Sequence, residues 1–129
     1  MTKESPELEI SHSQLSLNSN GIIEIKCAAN FEYDVKHINE NYAEIKRLSK
    51  SKKALVLNLV GSHSGITKEA REYVASGPHK DFIKAEAFVL HSVAHKILAN
   101  FYNKISKPIV QVGFFKNKAD AEKWLLSLE

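Results

Sequence analysis

Residues 58–73 read NLVGSHSGITKEAREY, and they hold the densest group of side chains able to do chemistry: Ser62, His63, Ser64 and Thr67, with glycine at 61 and 65. Three chemistries would use such a set. A Walker-type phosphate cradle needs two glycines five apart, followed by lysine and a hydroxyl residue. Here the glycines stand four apart and Lys68 is displaced from the second, so the pattern fails. Nucleophilic catalysis from a strand–turn–helix elbow needs G-x-S-x-G, whereas GSHSG sets its serines second and fourth around a histidine. Side chains adjacent in sequence rarely have the geometry of a nucleophile and its base, and a triad would also need a distant acid and an oxyanion hole. The third use is anion binding by the free N–H groups of a helix that starts at Thr67.

Other reactive residues are sparse. His91 and His95 are four apart, which would place both on one helix face as metal ligands. His91 falls at a strand end, however, and Ser92, Val93 and Ala94 between them do not make H-E-x-x-H. Each is expected to be an exposed, titratable histidine, and no metal, cofactor or catalytic residue is assigned. Cys27 alternates with Ile23 and Ile25 and reads as a small buried hydrophobe. Phe101 lies on the inward stripe of a helix. Tyr102 and one of Phe114 and Phe115 fall off phase, which makes Tyr102, Phe114 and Phe115 candidates for lining a ligand pocket or a subunit contact.

The elements that must position these residues follow from periodicity. Leu8 and Ile10 share one phase and Leu15 and Leu17 the other, which predicts a bulge or slip between them. NSNG at 18–21 tolerates positive φ and separates that run from IIEIKCA, predicting a hairpin. Val35, Ile38, Tyr42, Ile45 and Leu48 recur every three or four residues, one face of a helix capped by Asp34. ALVLNLV is near-continuously apolar, as in a strand buried on both faces. A short helix over 67–75 is capped by Thr67 and stopped by Gly77-Pro78. AEAFVL over 85–90 predicts a fourth strand, Ser92 caps a helix carrying Val93, Ile97, Leu98, Phe101 and Ile105, and Lys107-Pro108 breaks it. IVQVGFF is a fifth strand, and Asn117 caps a last helix with Ala121, Trp124, Leu125 and Leu128 inward. Strands alternating with helices imply an α/β fold: a mainly parallel mixed sheet of four to five strands, an N-terminal hairpin and about four helices.

Bulk properties narrow the class. The 129 residues fit one domain, 1–129, with 43% hydrophobic and 26% charged residues. No apolar run approaches the ~18–20 residues of a bilayer span, and the opening MTKESPELEI lacks the apolar region of a secretory signal. One cysteine allows no internal disulfide, which fits a cytoplasmic location. Net charge is only +3, and the basic stretch KRLSKSKK has no interleaved aromatics. It reads as cations at a helix C-terminus rather than a nucleic-acid surface.

Several segments also resemble a known family. LVLNL followed by a glycine–serine loop and a helix looks like the STAS, or SpoIIAA-like, fold. ITKEAREYVAS, NFYNKISKPIVQVGFF and NKADAEKWLLSL resemble small uncharacterised SpoIIAA-like proteins of Bacteroidetes-type bacteria. The resemblance implies a β–α superhelix of four to five strands. In anti-sigma-factor antagonists of this fold, a serine in a D-S-S-G loop is phosphorylated by a partner kinase. Aligned on the glycine, this chain has His63 at the acceptor position, Ser62 at the aspartate position and Ser64 as the second serine.

The function expected from sequence is therefore a non-enzymatic regulatory or protein-interaction module, with a protein partner or a second copy meeting the loop of Ser62, His63, Ser64 and Thr67. The alternative is a carrier of a small apolar or amphipathic ligand between helix and sheet, motivated by the off-phase aromatics.

Overall fold

The computed structural model describes residues 7–10, 12–50, 52–90 and 110–128. Its chain opens with β1 (Glu7–Ile10), β2 (Ser13–Leu17) and β3 (Ile22–Cys27), an antiparallel meander. From β3 the sheet continues in parallel through β5 (Ala54–Leu59), β7 (Ile83–Val89) and β8 (Gln111–Phe115). The strand order is β1-β2-β3-β5-β7-β8. Two short strands, β4 (Glu32–Tyr33) and β6 (Gly65–Ile66), make a separate parallel pair. The helices are α1 (Val35–Ser49), α2 (Lys68–Ala75) and α3 (Lys118–Leu126).

The main sheet thus has six strands, not four or five. The phase change between Leu8/Ile10 and Leu15/Leu17 is a chain reversal rather than a bulge. Leu8 sits opposite Leu15 and Ile10 opposite Ser13, so the two runs face each other across an antiparallel pair. The 18–21 turn closes β2 on β3, with Gly21 at φ 88° and its N–H on Asn18 O. The helix expected over 92–105, with His91, His95, Phe101 and Tyr102, lies outside the described residues.

Alternation along the parallel strands divides the interior in two. On one side Ile23, Ile25, Ala54, Val56 and Ile83 pack against Tyr42, Ile45 and Leu48 of α1. On the other, Leu55, Leu57, Ala85, Ala87 and Val89 pack against Ala121 and Leu125 of α3. β5 is buried on both faces for this reason, as its near-continuous apolar run predicts. α3 is also tied to the sheet by Lys118 Nζ, 2.8 Å from the buried carboxylate of Glu24 on β3. Burial pushes Glu24 upward, but the hydrogen bonds from Lys118 and Asn18 outweigh it and leave the carboxyl below its ordinary range.

Two buried titratable groups lack such compensation. Glu86, mid-strand in β7, is pushed up to about 7 by burial, opposed in part by the Asn58 amide. His79, stacked on Tyr42 at 5.1 Å, is held down to about 4 by burial. Between pH 4.5 and about 7 the unfolded chain sheds a proton that folded Glu86 keeps, so this group makes stability fall as pH rises. His79 acts oppositely: the unfolded chain binds a proton that the folded imidazole refuses, so stability falls as pH drops from 6.5 to about 4. The two slopes offset each other where they overlap. Glu86→Gln should unmask the histidine slope and be more stable than the parent above pH 7 by about 3 kcal/mol. Urea denaturation at a series of pH values measures this; equal pH profiles for the two proteins would contradict it.

Candidate functional site

β3, β5 and β7 deliver their C-terminal ends to one edge of the sheet, the side on which open α/β sheets place ligands. The loop of residues 61–67 crosses that edge and is fastened along its length to residues 28–33. Asn30 N donates to Ser62 O at 2.9 Å, Gly65 N to Phe31 O at 3.0 Å and Thr67 N to Tyr33 O at 2.9 Å. Ser64 Oγ donates to Ala28 O. At Gly61 the two backbones meet: a Cβ there would lie 2.6 Å from Ala28 O and 2.8 Å from Ala29 N. These ties leave Ser62 and His63 exposed at the tip, with His63 in the left-handed region at φ 59°.

The same edge joins the starts of two helices. Asp34 Oδ1 accepts the Val35 N–H at 2.8 Å, and His37 Nδ1 accepts the Asp34 N–H at 2.9 Å. This is a capping box with histidine in the place usually held by glutamate or glutamine. Thr67 Oγ1 accepts the Ala70 N–H at 3.1 Å to cap α2 and donates its own proton to Asp34 Oδ1 at 3.0 Å. The Val35 N–H, and next the Thr67 hydroxyl, hold the Asp34 carboxyl below its ordinary range. The anion expected at the Thr67 helix start is thus supplied by the chain itself, as Asp34.

Beside the caps, sequence inspection missed a cluster of rings. His12 stacks on Phe31 at 5.5 Å and meets His37 edge-on at 5.0 Å. Its Nδ1 lies 2.9 Å from Ser13 Oγ and its Nε2 2.7 Å from Glu40 Oε1. These distances make a serine–imidazole–carboxylate chain, yet Ser13 is only 5% exposed and its Oγ also pairs with Tyr33 Oη at 3.1 Å. Tyr33 Oη in turn donates to His12 O and accepts from Ala28 N. The hydroxyl that would attack is enclosed in a structural network. Cys27, next to it, has its thiol pushed up to about 12 by burial, which makes it inert as a nucleophile.

Deeper still, Asn41 of α1 and Asn58 of β5 are buried; the Asn58 amide meets the Glu86 carboxyl, whereas Asn41 Oδ1 has no hydrogen-bond partner among the described residues. Such an atom costs about 1–3 kcal/mol. Of the aromatics singled out from sequence, Phe114 and Phe115 lie on β8. Phe114 stacks on Phe88 at 5.5 Å, and Phe115 tilts against Trp124 at 5.5 Å, the two rings belonging to opposite faces of β8. Both are half-buried in these contacts. Of the loop candidates, Ser64 and Thr67 spend their hydroxyls on holding the loop, and Ser62 and His63 face outward.

A family model described as a domain of unknown function, DUF7793, matches residues 15–129. The chain belongs to that family. Among solved structures it is similar to an uncharacterised protein of the DUF3478 family with a SpoIIAA-like fold from Shewanella loihica PV-4, at TM-score 0.54 and 13% identity. The alignment covers 97% of this chain and 98% of that one. No curated protein matches the sequence. The SpoIIAA-like fold read from LVLNL and the later segments is therefore the observed one. Among the described residues no helix is long and apolar enough to cross a membrane, and no three His, Cys, Asp or Glu side chains group as metal ligands.

The two loop glycines should behave oppositely when given a methyl group. Gly61→Ala forces a Cβ into backbone and should destabilise by about 1–3 kcal/mol. Gly65→Ala meets nothing within 4 Å and has no positive φ, so it should be neutral or slightly stabilising. Denaturant midpoints compare the pair directly, and equal effects would mean that the loop does not sit on residues 28 and 29.

Proposed function

We propose that this protein is a non-enzymatic regulatory or interaction module whose contact surface is the 61–67 loop and the adjoining start of α2. The observation that carries this reading is His63. A residue with a Cβ pays about 1–2 kcal/mol to occupy the left-handed region, a position that glycine fills without strain. Strain held at an exposed tip, on a loop otherwise tied down, supports selection for the side chain that the tip presents. Ser62, exposed beside it, is the loop hydroxyl free to take a modification, since Ser64 and Thr67 are committed to structure. Phosphate there would add close to two negative charges to the contact surface.

His63→Gly separates this reading from a purely structural one. The variant should be as stable as the parent or up to about 1 kcal/mol more so, and should lose the partner retained by the parent chain in affinity capture from source cells. A variant that retains the same proteins as the parent would refute the proposed contact.

A carrier function has one observation in its favour, at the opposite end of the parallel strands from Phe114 and Phe115. A groove of about 540 Å³ between the end of α1 and the sheet has Leu17, Ile23, Leu48 and Leu55 in its walls and Lys50, Lys52, Lys53 and Lys84 around it. That size falls in the range of small-molecule sites, and the lining suits an anionic amphiphile. Under this reading, native mass spectrometry of the purified protein shows a bound amphiphile that the double variant Lys52→Glu/Lys53→Glu lacks. A clean mass for both proteins would speak against it.

A further inference from the structure

The loops that enter β5 and β7 meet at the end of the sheet opposite the 61–67 loop. Ala54 N donates to Phe82 O at 2.9 Å, which sets the approach to β5 beside the approach to β7. Segments 44–53 and 79–84 together carry seven lysines and arginines against two carboxylates, Glu44 and Asp81. That is a net +5 in a chain of net +3, so all the other residues together sum to −2. The charge is polarised along the molecule. Part of it is spent within the chain. Arg47 pairs with Glu44 at 2.9 Å, Lys46 Nζ lies 5.7 Å from the centre of the Phe82 ring, and Lys84 Nζ donates to Leu128 O. Lys50, Lys52 and Lys53 are exposed, line the 540 Å³ groove, and have no carboxylate partner among the described residues.

Lys50 adds a second observation. Its φ of 59° and ψ of −117° are those of the first central position of a type II′ turn, and the Lys52 N–H closes on Ser49 O at 3.1 Å. Glycine is the usual residue there, because a Cβ is strained at that φ. The ordinary use of cations after a helix, to complement its dipole, is already served by Lys46 and Arg47 in the last turn of α1. Strain of this kind clusters where a side chain has a use, and this side chain lines the groove.

What meets three uncompensated lysines around a floor of Ile23, Leu48 and Leu55 is anionic and partly hydrocarbon. Nucleic acid fits less well, since Phe82, the one Phe, Tyr or Trp of these segments, lies under Lys46 and offers no face for a base. Lysine is a hydrated point charge without the fork that reads a single carboxylate, so the surface suits a field of headgroups better than one acidic peptide. We propose that this end of the sheet is a docking surface for a membrane rich in anionic phospholipid, with Lys50, Lys52 and Lys53 set among the headgroups. The 61–67 loop lies at the other end of the six-residue β5, about 20 Å away, and faces away from that bilayer. This goes beyond a soluble carrier, because the lipid stays in its bilayer whether or not the groove extracts an amphiphile.

Cosedimentation of the full chain with vesicles tests it, comparing phosphatidylcholine alone with an equal mixture of phosphatidylcholine and phosphatidylglycerol. The chain should sediment with the anionic vesicles and stay in solution with the neutral ones. It should be released at about 1 M salt, where the screening length falls to about 3 Å. Each lysine at an anionic surface is worth about fivefold in binding, so Lys52→Gln/Lys53→Gln should weaken it about twenty-fold. Lys36→Gln/Lys116→Gln makes the same charge change at the start of α1 and just after β8, at the far end of the strands, and should alter binding by less than about twofold. Lys50→Gly should bind about fivefold more weakly yet resist denaturant as well as the parent or better, which separates the charge from the fold. Equal sedimentation with both vesicles, none with the anionic ones at low salt, or equal losses in the two double variants would each overturn the proposal. So would a double-stranded oligonucleotide that binds through Lys52 and Lys53 when the anionic vesicles do not. A clean native mass beside firm vesicle binding removes the carrier and leaves the docking surface standing.

Discussion

The C-terminal edge of this sheet depends on one carboxylate. Asp34 stops the chain from running on as strand, caps α1, and accepts the hydroxyl proton with which Thr67 begins α2. Helix starts carry partial positive charge, and two of them brought together would repel without an anion between them. Asp34 is that anion. The pairing of β4 with β6 stands directly before both caps, so the carboxylate and the two-residue ladder define one junction. The exposed loop and the ring cluster are both arranged around it.

The residues around this junction are of types that active sites use, and most of them are engaged in structure. Ser13, His12 and Glu40 stand in line, but the serine is enclosed and Tyr33 holds its oxygen. Thr67 begins a helix, but its N-terminus already has a negative charge beside it. Cys27 is close by, but burial keeps its thiol protonated. Ser64 and Thr67 are spent on holding residues 61–67 to Ala28 and Asp34. What those bonds leave over at the surface is the outward side chains of Ser62 and His63.

Much of the fold was legible because it rests on local signals. The stripe of Ile38, Tyr42, Ile45 and Leu48, the caps at Asp34, Thr67 and Asn117, and the apolar run from Ala54 are written in neighbouring residues, and the structure bears them out. The separation of β1 from β2 was misread because the turn before Ser13 has no glycine, proline or asparagine to announce it. β4 and β6 were missed because two residues carry no period. The site was less legible still. Asp34 and Thr67 were each recognised as caps, but their meeting across 33 positions is a tertiary fact, as is the meeting of His12 with Phe31 and His37. Glu86 and Asn58 read as ordinary strand residues, because nothing local marks a polar side chain that will be buried.

Gly61 has a consequence for the order in which the molecule assembles. Its backbone lies on residues 28 and 29, and the β4–β6 ladder joins partners 33 positions apart. Neither contact can repay the entropy of closing so long a span until β3, α1 and β5 are already in place. The loop is therefore late to form during folding. Held by a two-residue ladder and a few hydrogen bonds rather than by the main sheet, it is also among the first parts to open. Its amides should exchange with solvent through smaller openings than those of β5 and β7. Residues 61–67 thus hang from the molecule by contacts of their own, apart from the ladder of the six-stranded sheet.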